Sequence, residues 1–103
     1  MLNIMLVCSA GMSTSLLVSK MNKVAESKGM DVNVFAVAEA DVKNNMNKVD
    51  IMLLGPQVRY LLPKMKEMMK PKGVPVGIVD TISYGTMNGE KVLDQALSMV
   101  KNQ

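Results

Sequence analysis

Histidine and tryptophan are absent from this 103-residue chain, cysteine occurs once, and the aromatic residues are only Phe35, Tyr60 and Tyr84. Without histidine there is no Cys–His proteolysis, no Ser–His–Asp hydrolysis and no imidazole metal site. A single cysteine excludes an internal disulfide and the paired thiols of dithiol exchange. With no histidine beside it, that cysteine also leaves zinc and iron–sulfur centres short of ligands. No metal and no cofactor are therefore expected. A Gly-Lys-Ser/Thr triplet is missing too, which removes the nucleotide P-loop. No window approaches the ~20 apolar residues that span a bilayer. The apolar run at residues 2–7 has no basic flank and is too short for a signal peptide. A lone thiol fits a reducing compartment, so the expected location is the cytoplasm.

What is abundant is aliphatic and flexible. Hydrophobic residues make up 49% of the chain and twelve of them are methionine, so core filling falls to Met, Leu and Val. The length suits one domain, residues 1–103, with a single sheet and its covering helices. The net charge is +3 and it is uneven: Arg59, Lys64, Lys66, Lys70 and Lys72 crowd around Glu67. No arginine-rich stripe and no interleaved aromatics accompany the patch, which argues against nucleic acid as a partner.

Apolar runs alternate with amphipathic ones, the signature of a parallel α/β sheet. Residues 2–7 (LNIMLV) read as a first strand, apolar on both faces, as a central parallel strand should be. Residues 14–28 place Leu17, Met21, Val24, Ala25 and Lys28 on one helical stripe, with Lys20, Asn22, Lys23, Glu26 and Ser27 mostly toward water, and Gly29 is the expected stop. A second strand is expected at 31–37, a short helix at 39–47 and a third strand at 50–54, broken by Gly55-Pro56. Helical period returns over 58–70, where Pro63 must either kink the helix or open its main segment. Pro75 leads a fourth strand at 75–79. Asn88 then caps a last helix whose inner stripe is Leu93, Ala96, Leu97 and Val100.

The expected architecture is a three-layer α/β domain: a four-stranded parallel sheet in the order 2-1-3-4 with helices on both faces. In such sheets ligands bind beyond the carboxyl ends of the strands, at the switch in strand order. There the first strand ends on Cys8 and is followed by Ser9, Ala10, Gly11, Met12, Ser13, Thr14 and Ser15. Small residues and hydroxyls between a strand and a helix form a cup of N–H groups that binds anions and favours a thiolate. Cys8 is accordingly read as a nucleophile that accepts a phosphoryl group, with residues 9–15 as a phosphatase-like phosphate-binding loop. A buried, inert thiol at a strand end is the competing reading. Loops at 55–57 and 80–85 bring Gln57, Asp80 and Tyr84 to the same end of the sheet as possible rim residues, and Met12 at the loop tip is a candidate partner contact.

Three segments, CSAGMSTSLLVSKM, LLGPQVRYLLPKM and VDTISYG, together resemble the B subunit (enzyme IIB) of the lactose/cellobiose/chitobiose class of sugar phosphotransferase systems. The resemblance runs the length of the chain, and the fold it implies agrees with the pattern above. It implies that Cys8 takes a phosphoryl group from a phosphohistidine on the A subunit (EIIA). Cys8 then passes it to a sugar held by the membrane C subunit (EIIC), on which this protein docks transiently. A stand-alone B subunit further implies a β-linked disaccharide of the cellobiose or diacetylchitobiose type.

The loop is also similar to the Cys-x5-Arg loop of low-molecular-weight tyrosine phosphatases, with Asp80 where those enzymes keep a general acid. That gives the alternative, a phosphatase or arsenate-reductase-like enzyme using Cys8. Thr14 stands at the arginine position, which weakens stabilisation of a hydrolytic transition state.

Overall fold

Four parallel strands in the order β2-β1-β3-β4 form the middle layer of the computed structural model. It describes the backbone of residues 1–8 and 12–101 and the side chains of residues 1–8 and 14–100. The strands are β1 (Leu2–Cys8), β2 (Val32–Ala38), β3 (Ile51–Leu54) and β4 (Val76–Ile78). The helices are α1 (Met12–Ser27), α2 (Val42–Asn45), α3 (Leu62–Met69), α4 (Thr81–Gly85) and α5 (Gly89–Lys101). Short 3-10 turns flank α2 and α3.

β1 is central because its side chains are apolar at every position from Ile4 to Val7, all of them fully buried. Alternation sends Ile4 and Leu6 to a core beneath α1 and α5, where Leu17, Met21, Leu93 and Ala96 meet them. Met5 and Val7 point the other way, into a core closed by Val42, Val58, Met65 and Met69 on the α2–α3 side. Five of the twelve methionines (Met5, Met21, Met52, Met65 and Met69) are buried in these two cores. Flexible thioethers thus supply the volume that aromatic rings do not.

Element ends follow their capping chemistry. Gly29 takes φ 67° after α1 and Gly73 φ 67° after the α3 unit, the left-handed stops that a Cβ disfavours. Pro63 lies in the first turn of α3, so it opens that helix rather than kinking it; the irregularity sits earlier, at Val58 (φ −118°, ψ 26°). Asn88 caps α5, its Oδ1 accepting from the Lys91 amide at 3.1 Å.

Four expectations need correction. Lys28 is not on the buried stripe of α1; it is exposed and pairs with Glu90 at 3.3 Å. Asn22, read as facing water, bonds edge strand β2 twice, donating to the Val34 carbonyl and accepting from the Val34 amide at 2.9 Å each. Val100 is 38% exposed, and Val92, at 0%, takes the inner position on α5. Residues 81–85, read as loop, form α4, whose five residues are too few to show a hydrophobic period.

α1 and α5 approach closely at Gly89, where a Cβ would lie 2.8 Å from Lys20 Cβ and 2.9 Å from the Lys20 carbonyl carbon. Gly89→Ala should therefore force the two helices apart and lower stability by about 1–3 kcal/mol, as overpacking does. Urea unfolding monitored by circular dichroism measures this, and an unchanged or raised midpoint would refute the close approach.

Candidate active site

The loops at the carboxyl edge follow β1, β2, β3 and β4, and the strand-order switch lies beside β1. Cys8 is the last residue of β1, aligned with Ala38 of β2. It shares the parity of Ile4 and Leu6, so its side chain belongs to the α1 side of the sheet. There the Thr14 hydroxyl, in the first turn of α1, donates to Cys8 Sγ at 3.0 Å. The thiol in turn donates to the Val37 carbonyl at 3.7 Å. Cys8 is 1% and Thr14 0% exposed.

Burial alone fits an inert packed thiol equally well. The surroundings do not, because sulfur in a hydrocarbon pocket would face neither a hydroxyl donor nor a carbonyl. The first turn of α1, a helix of sixteen residues, holds no acidic residue, so nothing cancels the positive end of its dipole. The Thr14 hydroxyl and the helix start thus turn their positive ends toward Sγ, while the Val37 carbonyl accepts the thiol's proton.

Of the expected loop, Thr14 is brought to the sulfur itself, and Ser15 is exposed one residue further along α1. Ser9, Ala10 and Gly11 lie outside the described residues, as do the side chains of Met12 and Ser13. The Val37 carbonyl was missed from sequence. Its place depends on the register of β2 against β1, which no local motif encodes.

Two rim residues are joined: Gln57 Nε2 donates to the Tyr84 hydroxyl at 2.9 Å, tying the β3 loop to α4. Gly55 permits this, since a Cβ there would sit 2.6 Å from Gln57 Oε1. Asp80 has different work. It caps α4, its Oδ2 accepting from the Ser83 amide at 2.9 Å and the Ser83 hydroxyl at 3.0 Å. The Ser83 amide, then its hydroxyl, hold the Asp80 carboxyl below its ordinary 3.8, with a smaller contribution from Lys91. A carboxylate so held has no proton to donate at neutral pH. Gln95, also missed, clamps this corner by donating to the Ile78 carbonyl at 2.7 Å and accepting from the Asp80 amide at 3.0 Å.

Residues 3–95 match the family described as PTS system, Lactose/Cellobiose specific IIB subunit. The chain is 40% identical over 103 residues to the oligo-beta-mannoside-specific EIIB component of Bacillus subtilis, covering 100% of each. It is 42% identical over 102 residues to the galactose-specific EIIB component of Lactococcus lactis subsp. cremoris, covering 94% of each. The solution structure of the cellobiose-specific IIB component from Borrelia burgdorferi superposes with a TM-score of 0.80 at 46% identity, over 98% of this chain and 93% of that one.

The Asp80 cap carries a pH signature. Its carboxyl titrates lower in the folded than in the unfolded chain, so its stabilisation is present above the unfolded value and lost as pH falls through the folded one. Asp80→Ala should thus be less stable than the parent at pH 7, with the gap narrowing once pH drops well below 3.8. Thermal unfolding of both proteins across that range tests this, and a gap independent of pH would rule out the charged cap.

Proposed function

Because the chain belongs to the lactose/cellobiose-specific IIB subunit family, the transferase component of sugar phosphotransferase systems, we propose that Cys8 is its phosphoryl acceptor. The observation that carries this reading is the Thr14 hydroxyl donating to Cys8 Sγ at the start of α1. In the first step the sulfur attacks the phosphorus of a phosphohistidine on EIIA. The S–P bond forms as the N–P bond breaks, and the thiol proton ends on the departing imidazole. In the second step a hydroxyl of the sugar on EIIC attacks the same phosphorus. The S–P bond breaks, and the hydroxyl proton returns to sulfur.

Little covalent work is asked of the protein; positioning and charge stabilisation suffice. The amides and hydroxyls of residues 9–15 hold the phosphoryl oxygens, and Thr14 steadies the sulfur. Gln57 and Tyr84 form the rim as a bonded pair. The work is done in the cytoplasm, with transient docking on the membrane-embedded EIIC. None of the described helices is long and apolar enough to cross a membrane itself.

The sugar is of the β-linked disaccharide type, cellobiose or diacetylchitobiose. Relatives at 40% and 42% identity are named for different sugars, which supports placing sugar selection on EIIC. A phosphatase would need an arginine at position 14 and a protonated Asp80, and neither requirement is met.

Incubated with phosphorylated EIIA, the protein should gain one phosphoryl group by mass spectrometry, and Cys8→Ser should gain none and should not support sugar phosphorylation. An unchanged mass for the parent, or full activity in Cys8→Ser, would point to another acceptor. Thr14→Val should slow both iodoacetamide alkylation and phosphoryl acceptance about tenfold, with Thr14→Ser restoring most of the rate, as loss of one hydrogen bond to a charged group predicts. Equal rates in Thr14→Val would remove the hydroxyl from the mechanism.

A further inference from the structure

Segment 39–72 holds seven of the twelve basic residues and four of the nine acidic ones. The remainder of the chain carries five of each, so the whole net charge of +3 resides in this segment. Apart from β3, which joins the sheet, it folds as one layer. α2 with its flanking turns and α3 cover the same face of the sheet through a shared core. At their leading ends Lys64 Nζ lies 4.0 Å from Glu39 Oε2, and at their trailing ends Lys72 donates to Asn47 Oδ1 at 2.9 Å. The two helical units therefore run side by side. Lys43 and Lys48 stand on one, and Lys64, Lys66, Lys70 and Lys72 on the other, all exposed. Between them is a hollow of about 350 Å³ floored by Val42, Met65 and Met68 and edged by Lys43, Lys64 and the one carboxylate Glu39.

We propose that this lysine-lined face binds the surface of an anionic membrane. The chemistry favours lipid headgroups over a protein partner. Six of the seven cations are lysine, a compact hydrated charge suited to a diffuse surface potential, whereas protein interfaces are depleted in lysine and enriched in arginine. Clusters of this size are drawn to anionic leaflets within a Debye length, and lysine stems can lie along the methionine floor while their ammonium groups reach phosphates. The face is a broad side of the three-layer sandwich, and Cys8 sits on its carboxyl edge, so occupying one leaves the other open. Weak attachment would concentrate the protein in the thin layer where a membrane-embedded acceptor is found.

The test is co-sedimentation of the full chain with phosphatidylcholine vesicles containing about a third phosphatidylglycerol, against pure phosphatidylcholine. Binding is expected only to the anionic vesicles and should weaken at least tenfold between about 50 and about 500 mM salt. Lys43→Glu, Lys66→Glu and Lys70→Glu combined should cut binding at least tenfold. Lys20→Glu, Lys23→Glu and Lys91→Glu combined change the net charge equally on the other side of the sheet and should stay within about twofold of the parent. No binding to anionic vesicles, or equal losses in the two triple variants, overturns the proposal. So does absent vesicle binding together with slowed phosphoryl acceptance from EIIA in the first triple variant, which would assign the face to an acidic protein. Cys8→Ser should bind vesicles like the parent, which keeps this outcome separate from that of the transfer reaction.

Discussion

The register of β1 within the sheet governs the site. Because successive side chains alternate, the residues that send Ile4 and Leu6 toward α1 send Cys8 there as well, while Met5 and Val7 anchor the opposite core. A slip of one residue would turn the thiol toward the α2–α3 layer, away from Thr14. Both faces of β1 are closed by apolar packing, so such a slip would expose one core to fill the other. The cysteine is held beneath the helix start by hydrocarbon packing at four residues it does not touch chemically. The strand order then opens a crevice at that point, since the chain leaves β1 for β2 on one side and β3 lies on the other.

Much of this was legible in the sequence because it rests on periodicity. The apolar character of both faces of residues 2–7 announced a central strand, and the stop at Gly29 and the cap at Asn88 follow from local backbone chemistry. Thr14 was legible as a hydroxyl in the loop, but not as the partner of sulfur, since that depends on how α1 turns away from the strand. Asn22 was misplaced for a similar reason. Period puts it off the buried stripe, yet it reaches a backbone edge of β2 that only the tertiary arrangement presents. α4 escaped notice because helical period needs more than five residues to declare itself. Its one sequence cue is Asp80 three residues ahead of Ser83, the spacing of a cap. The Gln57–Tyr84 pair joins positions 27 apart and has no local signature.

The two broad faces of the sandwich differ in charge although both bury aliphatic cores. On the α1–α5 side acids and bases balance, with Lys28 and Glu90 paired across the two helices. On the α2–α3 side lysines outnumber carboxylates, and the nearest compensation, Glu39 with Lys64, is a loose pair 4.0 Å apart on the surface. Neither core requires this difference, since the buried residues are equally apolar. The excess is a property of the surface alone, where a partner rather than the fold can use it.

Position 14 is where a carrier and a hydrolase of this loop type part company. An arginine there would grip two oxygens of a phosphoryl group and draw off the charge that builds as water attacks. A threonine hydroxyl directed at sulfur acts instead on the atom that, in the proposed transfer, is nucleophile in one step and leaving group in the next. Stabilising negative charge on sulfur assists departure as well as arrival, because the S–P bond is only partial in the transition state of each step, forming in the first and breaking in the second. Asp80 completes the contrast. Where hydrolysis would call for a protonated acid, its carboxylate is committed to the first turn of α4 by the Ser83 amide and hydroxyl. Under the proposed role of Cys8, the same scaffold favours passing the phosphoryl group onward over losing it to water.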